Sequence, residues 1–138
     1  MRYVLLTILL AGALNCSAQK QGDQDPIDKA YENCKLEHSD AAGIANCAFE
    51  AYKHWDSELN KYYNRILKSL KKQGDIGSFK NAQKAWVAFR DAEFTAYNGM
   101  FNRPGDQWAT IRAENRIAIV RARALQLRSY SDSLQRKR

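Results

Sequence analysis

The chain has 138 residues, which is enough for one domain and excludes two. Seven glycines and two prolines leave few places to interrupt a helix, and the composition favours an all-α fold. The net charge of +7 is uneven, because residues 21–60 carry nine acidic against three basic residues and residues 61–138 carry seventeen basic against six acidic ones. Outside the cytoplasm, a basic surface indicates an anionic envelope polymer, a lipid surface or an acidic protein as partner more than nucleic acid. The alternative interpretation is that the basic residues bind no partner and only keep the exposed faces of long helices solvated.

The first 18 residues have the pattern of a secretory signal peptide. A positively charged start is followed by an apolar run over residues 3–14 and by a small-residue cleavage site at Ala18. The apolar run is too short to span a bilayer as a helix. We therefore predict a signal peptide over residues 1–18 and a periplasmic or secreted product.

Anchoring as a lipoprotein through Cys16 is the alternative reading of the same segment. It is disfavoured because a lipidated cysteine needs a small residue before it, and Asn15 fits that requirement poorly. The polar residues 19–25 that follow are predicted to be a disordered leader.

Cys34 and Cys47 are the cysteines that remain after cleavage. Exported proteins usually join such a pair in a disulfide, and closing a loop of this size stabilises by roughly 3 kcal/mol. Two buried free thiols are the alternative. Zinc is disfavoured, because the two cysteines with His38 and His54 match no standard ligand spacing. No metal or cofactor is expected.

Four helices are predicted in the mature chain. Asp25 and Pro26 have the residue types of a helix N-cap and a first helical position. The elements then predicted are a short helix over residues 26–37, a long helix over 41–72, a turn over 73–77, a third helix over 78–100, a loop over 102–106 and a fourth helix over 107–129. The fold class is therefore all-α, a small antiparallel helical bundle of one short and three longer helices with one disulfide. The helical domain spans residues 26–130, and residues 131–138 form a frayed basic tail.

Apolar residues three and four positions apart predict the faces that pack. In the second helix this face consists of Ile44, Ala48, Ala51, Trp55, Leu59, Tyr62, Ile66 and Leu70. In the fourth helix it consists of Trp108, Ile111, Asn115, Ala118 or Ile119, Ala122 and Leu125.

Polar side chains share the packing faces of the second and third helices. Helical spacing groups Asp56, Leu59, Asn60 and Tyr63 on one helix, and Gln83, Trp86 and Arg90 on the other. A short turn makes these helices antiparallel, which places Asn60 opposite Arg90 and Asp56 about one helical turn away. We predict a structural cluster of Asp56, Asn60, Gln83 and Arg90 between aromatic rings, with a charge-assisted Asp56–Arg90 pair.

No constellation typical of catalysis is found. The sequence has no recognisable nucleophile beside a base, no phosphate-binding loop and no metal-ligand motif. Asp56 and Glu58 point to different sides of their helix and do not form an acid–base pair. The protein is therefore predicted not to be an enzyme. Five lysines near the turn either bind an anionic polymer or solvate the helix ends: Lys68, Lys71, Lys72, Lys80 and Lys84.

The order of these motifs resembles a known family. Cys34 and Cys47 are followed by Asp56-x-x-Leu59-Asn60-x-x-Tyr63 and then by Ala82-Gln83-x-Ala85-Trp86-x-x-Phe89-Arg90-Asp91. This combination resembles the lysozyme inhibitor LprI N-terminal domain family of small exported bacterial proteins, over roughly Tyr31 to Leu127. The family pattern usually has two further cysteines. Phe94 stands near the position of the first, and Asn115 or Arg116 near that of the second.

The resemblance implies a non-catalytic binding protein that inhibits a cell-wall lytic enzyme of the lysozyme type. We expect its contacts in the acidic segment and in the loop from Asn98 to Asp106, where Arg103 is the candidate to reach a catalytic carboxylate. The alternative is a structural or adaptor protein of the envelope, whose basic half binds an anionic polymer or lipid.

Overall fold

Four α-helices make up the chain in the computed structural model, which describes residues 24–136. They are α1 (Pro26–Glu37), α2 (Ala41–Ser69), α3 (Gln73–Met100) and α4 (Asp106–Arg136). The predicted all-α class is confirmed. None of the helices in the described range is long and apolar enough to cross a membrane. The predicted signal peptide, and all but the last two residues of the predicted leader, lie outside the described residues.

Aspartates begin the first two helices. The carboxylate of Asp25 accepts a hydrogen bond from the backbone N–H of Ile27 at 3.1 Å, and Pro26 follows at the first helical position. Asp40 caps α2 in the same way, because its carboxylate accepts from the N–H of Gly43 at 2.8 Å. This backbone hydrogen bond holds the pKa of Asp40 below its ordinary value.

Two predicted boundaries differ from the structure. The chain reverses just after α2, where Leu70 and Lys72 are extended, so that residues 73–77 begin α3 instead of forming the turn. The expected frayed tail is helical as far as Arg136. The side chains of Ser131 and Leu134 pack against the core, and this packing stabilises the last turns of α4.

The hydrophobic core lies between α2 and α4. α2 contributes Cys47, Ala48, Ala51, Trp55, Leu59, Tyr62 and Ile66, and α4 contributes Ile117, Val120, Ala124 and Leu127. Trp55, Val120 and Leu127 have no exposed surface at all. The α2 face was largely predicted, whereas the predicted α4 face is wrong, because α4 buries a stripe beginning at Ile117.

The helices are arranged around a parallel pair. The guanidinium of Arg121 lies over the ring of Trp55 and that of Arg128 over the ring of Tyr62, so α4 runs in the same direction as α2. α1 is antiparallel to both and joins them along one side. α3 is the antiparallel connection on another side of α4, and none of its residues is buried. The closely packed pair is therefore α2 with α4, and not α2 with α3.

Candidate functional site

The predicted polar cluster is not formed. Asn60 donates to the carboxylate of Asp56 at 3.0 Å, and both residues lie on α2. Arg90 is paired at 2.7 Å with Asp91, its neighbour on α3. The predicted Asp56–Arg90 pair is wrong because α4, and not α3, packs closely against α2.

The other motif residues support the scaffold. Leu59 is buried in the core. The ring of Tyr63 stacks on Phe79 with the centroids 5.3 Å apart. Gln83 accepts hydrogen bonds from the guanidinium of Arg123 at 2.9 and 3.0 Å, which ties α3 to α4. The ring of Trp86 lies 5.8 Å from the same guanidinium and 5.5 Å from that of Arg90.

Cys34 and Cys47 form the disulfide, with Cα atoms 5.8 Å apart, and join α1 to α2. The side-chain nitrogen of His38 lies within 4.8 Å of the two sulfur atoms. A disulfide provides no thiolate to a metal, so this cluster is not a metal site in the oxidised protein.

An aspartate on α1 joins three helices. The carboxylate of Asp28 accepts from Arg121 of α4, at 2.8 Å from Nε and 2.7 Å from Nη2. The indole N–H of Trp55 on α2 donates to the same carboxylate at 3.2 Å. The indole of the most deeply buried aromatic residue therefore has its polar atom satisfied by this ion pair.

Two further polar contacts join the segment of α1 to α4. Asp25 pairs with Arg128 at 3.0 Å, and the hydroxyl of Tyr31 donates to Glu114 at 3.3 Å. Burial, and then the negative charge of Glu114, raise the pKa of Tyr31 above its ordinary value. Sequence analysis missed these contacts. The signal was the seven-residue spacing of Glu114, Arg121 and Arg128, which places them on one helical face.

A groove of about 500 Å³ lies between α2, α3 and α4. We call it the α2–α3–α4 groove, and its lining consists of Ala45, Ala48, Phe49, Tyr52, Phe94, Ala113 and Arg116. It forms because α3 meets α2 through pairs of aromatic rings, which keep the two backbones apart. One such pair, Tyr52 with Phe94, has centroids 6.2 Å apart. Phe49 at the rim is 58% exposed.

Arg116 is the charged residue of this groove. Its guanidinium carbon lies 5.3 Å from the ring centre of Phe94, and its Nη2 donates to the side-chain oxygen of Asn98 at 2.7 Å. Its Nε is buried and has no hydrogen-bond partner among the described residues. Phe94 of α3 and Arg116 of α4 are therefore in direct contact across this groove.

The loop between α3 and α4 is held in place by aromatic packing. The rings of Phe101 and Trp108 stack with centroids 6.2 Å apart, and Arg112 donates to the backbone carbonyl of Phe101. Gly105 has φ 116°, a conformation that favours glycine. Arg103 is exposed on this loop, and its guanidinium lies 5.1 Å from the ring centre of Trp108.

Exposed lysines surround the connection between α2 and α3. We call them the lysine cluster: Lys68, Lys71, Lys72, Lys80 and Lys84. No member is in an ion pair with another of residues 24–136. The cluster therefore presents five positive charges to solvent around one exposed acidic residue, Asp75.

These features define a small, disulfide-bonded, all-helical protein with an open apolar groove. The family model of the lysozyme inhibitor LprI matches residues 32–127, from α1 to the buried part of α4. The chain therefore belongs to the LprI lysozyme inhibitor family, and the resemblance of its motifs is confirmed.

A solved structure shares this fold. It is the crystal structure of an uncharacterized protein from Burkholderia thailandensis, with a TM-score of 0.74 and 29% sequence identity. The similarity covers 82% of this chain and 56% of that one, so this chain spans little more than half the length of its structural relative. The comparison with curated proteins gave no match.

Proposed function

We propose that the protein is an exported, non-catalytic inhibitor of a cell-wall lytic enzyme of the lysozyme type. The family match over residues 32–127 carries this proposal, because it extends across the helices that build the core. The Cys34–Cys47 disulfide supports export, since such bonds persist in oxidising compartments.

The loop between α3 and α4 is the surface that we propose for contact with the enzyme. The acidic segment is a weaker candidate, because Asp25 and Asp28 are already paired with arginines of α4. Arg103 is exposed and lies on a loop that is fixed by packing, so little conformational entropy is lost when it binds. A guanidinium binds a carboxylate through two parallel hydrogen bonds, and a catalytic carboxylate of the enzyme is a suitable acceptor.

Inhibition of purified lysozymes tests this proposal. The oxidised full chain is assayed for its effect on the clearing of cell-wall suspensions by one basic and one acidic lysozyme, each over a range of salt. We expect inhibition at nanomolar concentration of at least one enzyme. Arg103→Ala is expected to raise the inhibition constant at least about tenfold, as for a central interface residue. The control Arg136→Ala makes the same change at an exposed position at the end of α4, outside both this loop and the lysine cluster, and is expected to have no effect. No inhibition of either enzyme would contradict the proposal.

A second candidate function is that of an envelope adaptor that binds an anionic polymer or lipid. The lysine cluster favours it, because it has five exposed positive charges and no ion pair within the described residues. Co-sedimentation with vesicles of anionic or neutral lipid measures this activity. Salt-sensitive binding to the anionic vesicles, abolished by replacing the five lysines with glutamine and accompanied by no lysozyme inhibition, supports the adaptor.

A further inference from the structure

We propose that the α2–α3–α4 groove binds a medium-chain fatty acid, with its carboxylate on Arg116 and its alkyl chain along the apolar walls. This inference does not depend on the proposed inhibition of lysozyme. It is based on the lining of the groove and on the polar contacts of Arg116.

The dimensions and lining are those of a small-molecule site. A volume of about 500 Å³ falls within the usual range for ligand pockets, which are mostly apolar with a few polar groups that fix the orientation of the ligand. Ala45 and Ala48 of α2 and Ala113 of α4 line the groove with short side chains. Phe49 and Phe94 add flat apolar surface to the walls.

The positive charge of Arg116 favours a ligand with a negatively charged head group. Further along α4, Arg121 and Arg128 each contact a carboxylate, whereas Arg116 contacts the neutral amide oxygen of Asn98. A charged group in apolar surroundings is stabilised by a counterion, and a carboxylate that enters the groove provides that charge to the guanidinium.

The remaining wall residues select an alkyl chain. A sugar requires several hydrogen-bonding side chains, and the lining of the groove contains Arg116 and Tyr52 against five apolar residues. A phosphate group is bound best by several donors or charges, and one guanidinium provides fewer than such a site needs. One carboxylate on an unbranched chain matches one cation beside a slot of methyl groups and aromatic rings.

Calorimetry with a series of ligands tests the inference. The oxidised full chain is titrated with octanoate, decanoate and dodecanoate, each below its micelle concentration. We expect the dissociation constant to fall roughly threefold to fourfold for each added CH₂ group, as for burial of alkyl surface. The uncharged 1-dodecanol is expected to bind at least about tenfold more weakly than dodecanoate, because it makes no charge-assisted bond to Arg116.

Three variants place the ligand in the groove. Arg116→Gln is expected to weaken dodecanoate binding about tenfold and to leave 1-dodecanol binding unchanged. Ala45→Trp fills the groove from an exposed rim position and is expected to abolish binding of both ligands. The matched control Arg103→Gln makes the same chemical change outside the groove and is expected to bind as the parent protein does. Circular dichroism of each variant establishes that it is folded.

Several results would overturn the inference. One is the absence of dodecanoate binding to the folded parent chain. Another is equal affinity for dodecanoate and 1-dodecanol, which would indicate a non-specific apolar surface. Sedimentation provides a third: a dimer that Ala45→Trp converts to a monomer would show that a second copy of the chain occupies the groove.

Discussion

The carboxylate of Asp28 connects α1 with both helices of the core. We predict that Asp28→Ala lowers the free energy of unfolding by about 2–3 kcal/mol, because it removes an ion pair and leaves the buried indole N–H of Trp55 without its acceptor. The Asp28 side chain is 18% exposed, so solvent screens the pair only in part. Urea denaturation measures the change.

The control for this variant is Glu50→Ala, which removes the exposed ion pair between Glu50 and Lys53, two residues of α2. It is expected to change the free energy of unfolding by less than about 0.5 kcal/mol. Equal effects of Asp28→Ala and Glu50→Ala would show that the contact between α1 and α4 adds nothing specific to stability.

Arg90, in contrast to Asp28, is predicted to contribute little to the free energy of unfolding. Its partner Asp91 is 59% exposed, and the guanidinium also lies over the rings of Trp86 and Phe94. We expect Arg90→Leu to lower the free energy of unfolding by about 1 kcal/mol or less, because the ion pair is open to solvent at Asp91 and leucine keeps much of the apolar contact with the two rings. Thermal denaturation followed by circular dichroism tests this. A loss of several kcal/mol would indicate a buried partner for Arg90.

At the scale of the residue, the disulfide could be predicted from the sequence, whereas the ion pairs between helices could not. Cys34 and Cys47 are the only two cysteines left after the predicted cleavage. Their pairing could therefore be predicted without knowing how the helices pack. The pairing of Asp56 with Arg90 was predicted from helical spacing. Spacing shows which residues share a face of one helix, but it does not show which other helix packs against that face. The arginines that pair with Asp28 and Gln83 are both on α4, whose position the sequence did not predict.

At the scale of the element, α1 depends on its attachments. It has no buried residue and is held by the disulfide and by ion pairs to α4. We predict that the double variant Cys34→Ser, Cys47→Ser loses about 3 kcal/mol of stability, as expected for a bridge of sequence separation 13. Hydrogen exchange of the α1 amides is expected to increase more than that of the α2 and α4 amides.

Reduction of the parent protein with dithiothreitol is expected to reproduce this pattern, and dithiothreitol is expected to leave the double variant unchanged. Uniform acceleration of exchange in all helices would contradict the selective release of α1.

The sequence predicted the packing of α2 better than that of α4, for a physical reason. Most of the large apolar residues that the sequence places on one face of α2 are buried, whereas α4 has apolar residues on several faces, among them Ile111, Ile119 and Leu125 outside the buried stripe. Spacing alone does not choose between such stripes. The arginines that pair with α1 decide the orientation of α4, and their partners lie far away in the sequence. The groove was not predictable, since it results from the distance between α2 and α3.

For the whole molecule, folding changes the charge distribution that the sequence suggests. Asp25 and Asp28 in the acidic half pair with Arg128 and Arg121 in the basic half, so the two halves partly neutralise each other. The uncompensated charge that remains includes the lysine cluster, and it attracts negatively charged partners over long range.

We therefore predict that association with an acidic lytic enzyme slows as salt increases. The association rate constant is expected to fall about tenfold or more between low and high ionic strength, and the dissociation rate constant to change little. Surface plasmon resonance measures both rates. The variant with the five lysines replaced by glutamine serves as the control, and its association rate is expected to depend less on salt. A salt-independent association rate for the parent chain would contradict electrostatic steering.

The parallel pairing of α2 with α4 has a consequence for the order of folding. Asp28 and Arg121 are 93 residues apart in sequence, whereas the disulfide spans a separation of only 13. Contacts between distant segments form slowly, because a long chain must be closed before they contribute. The hairpin of α1 and α2 is able to form as soon as it is synthesised, but its apolar face is covered only when α4 arrives. Folding of this helical protein is therefore expected to be limited by the docking of its last helix.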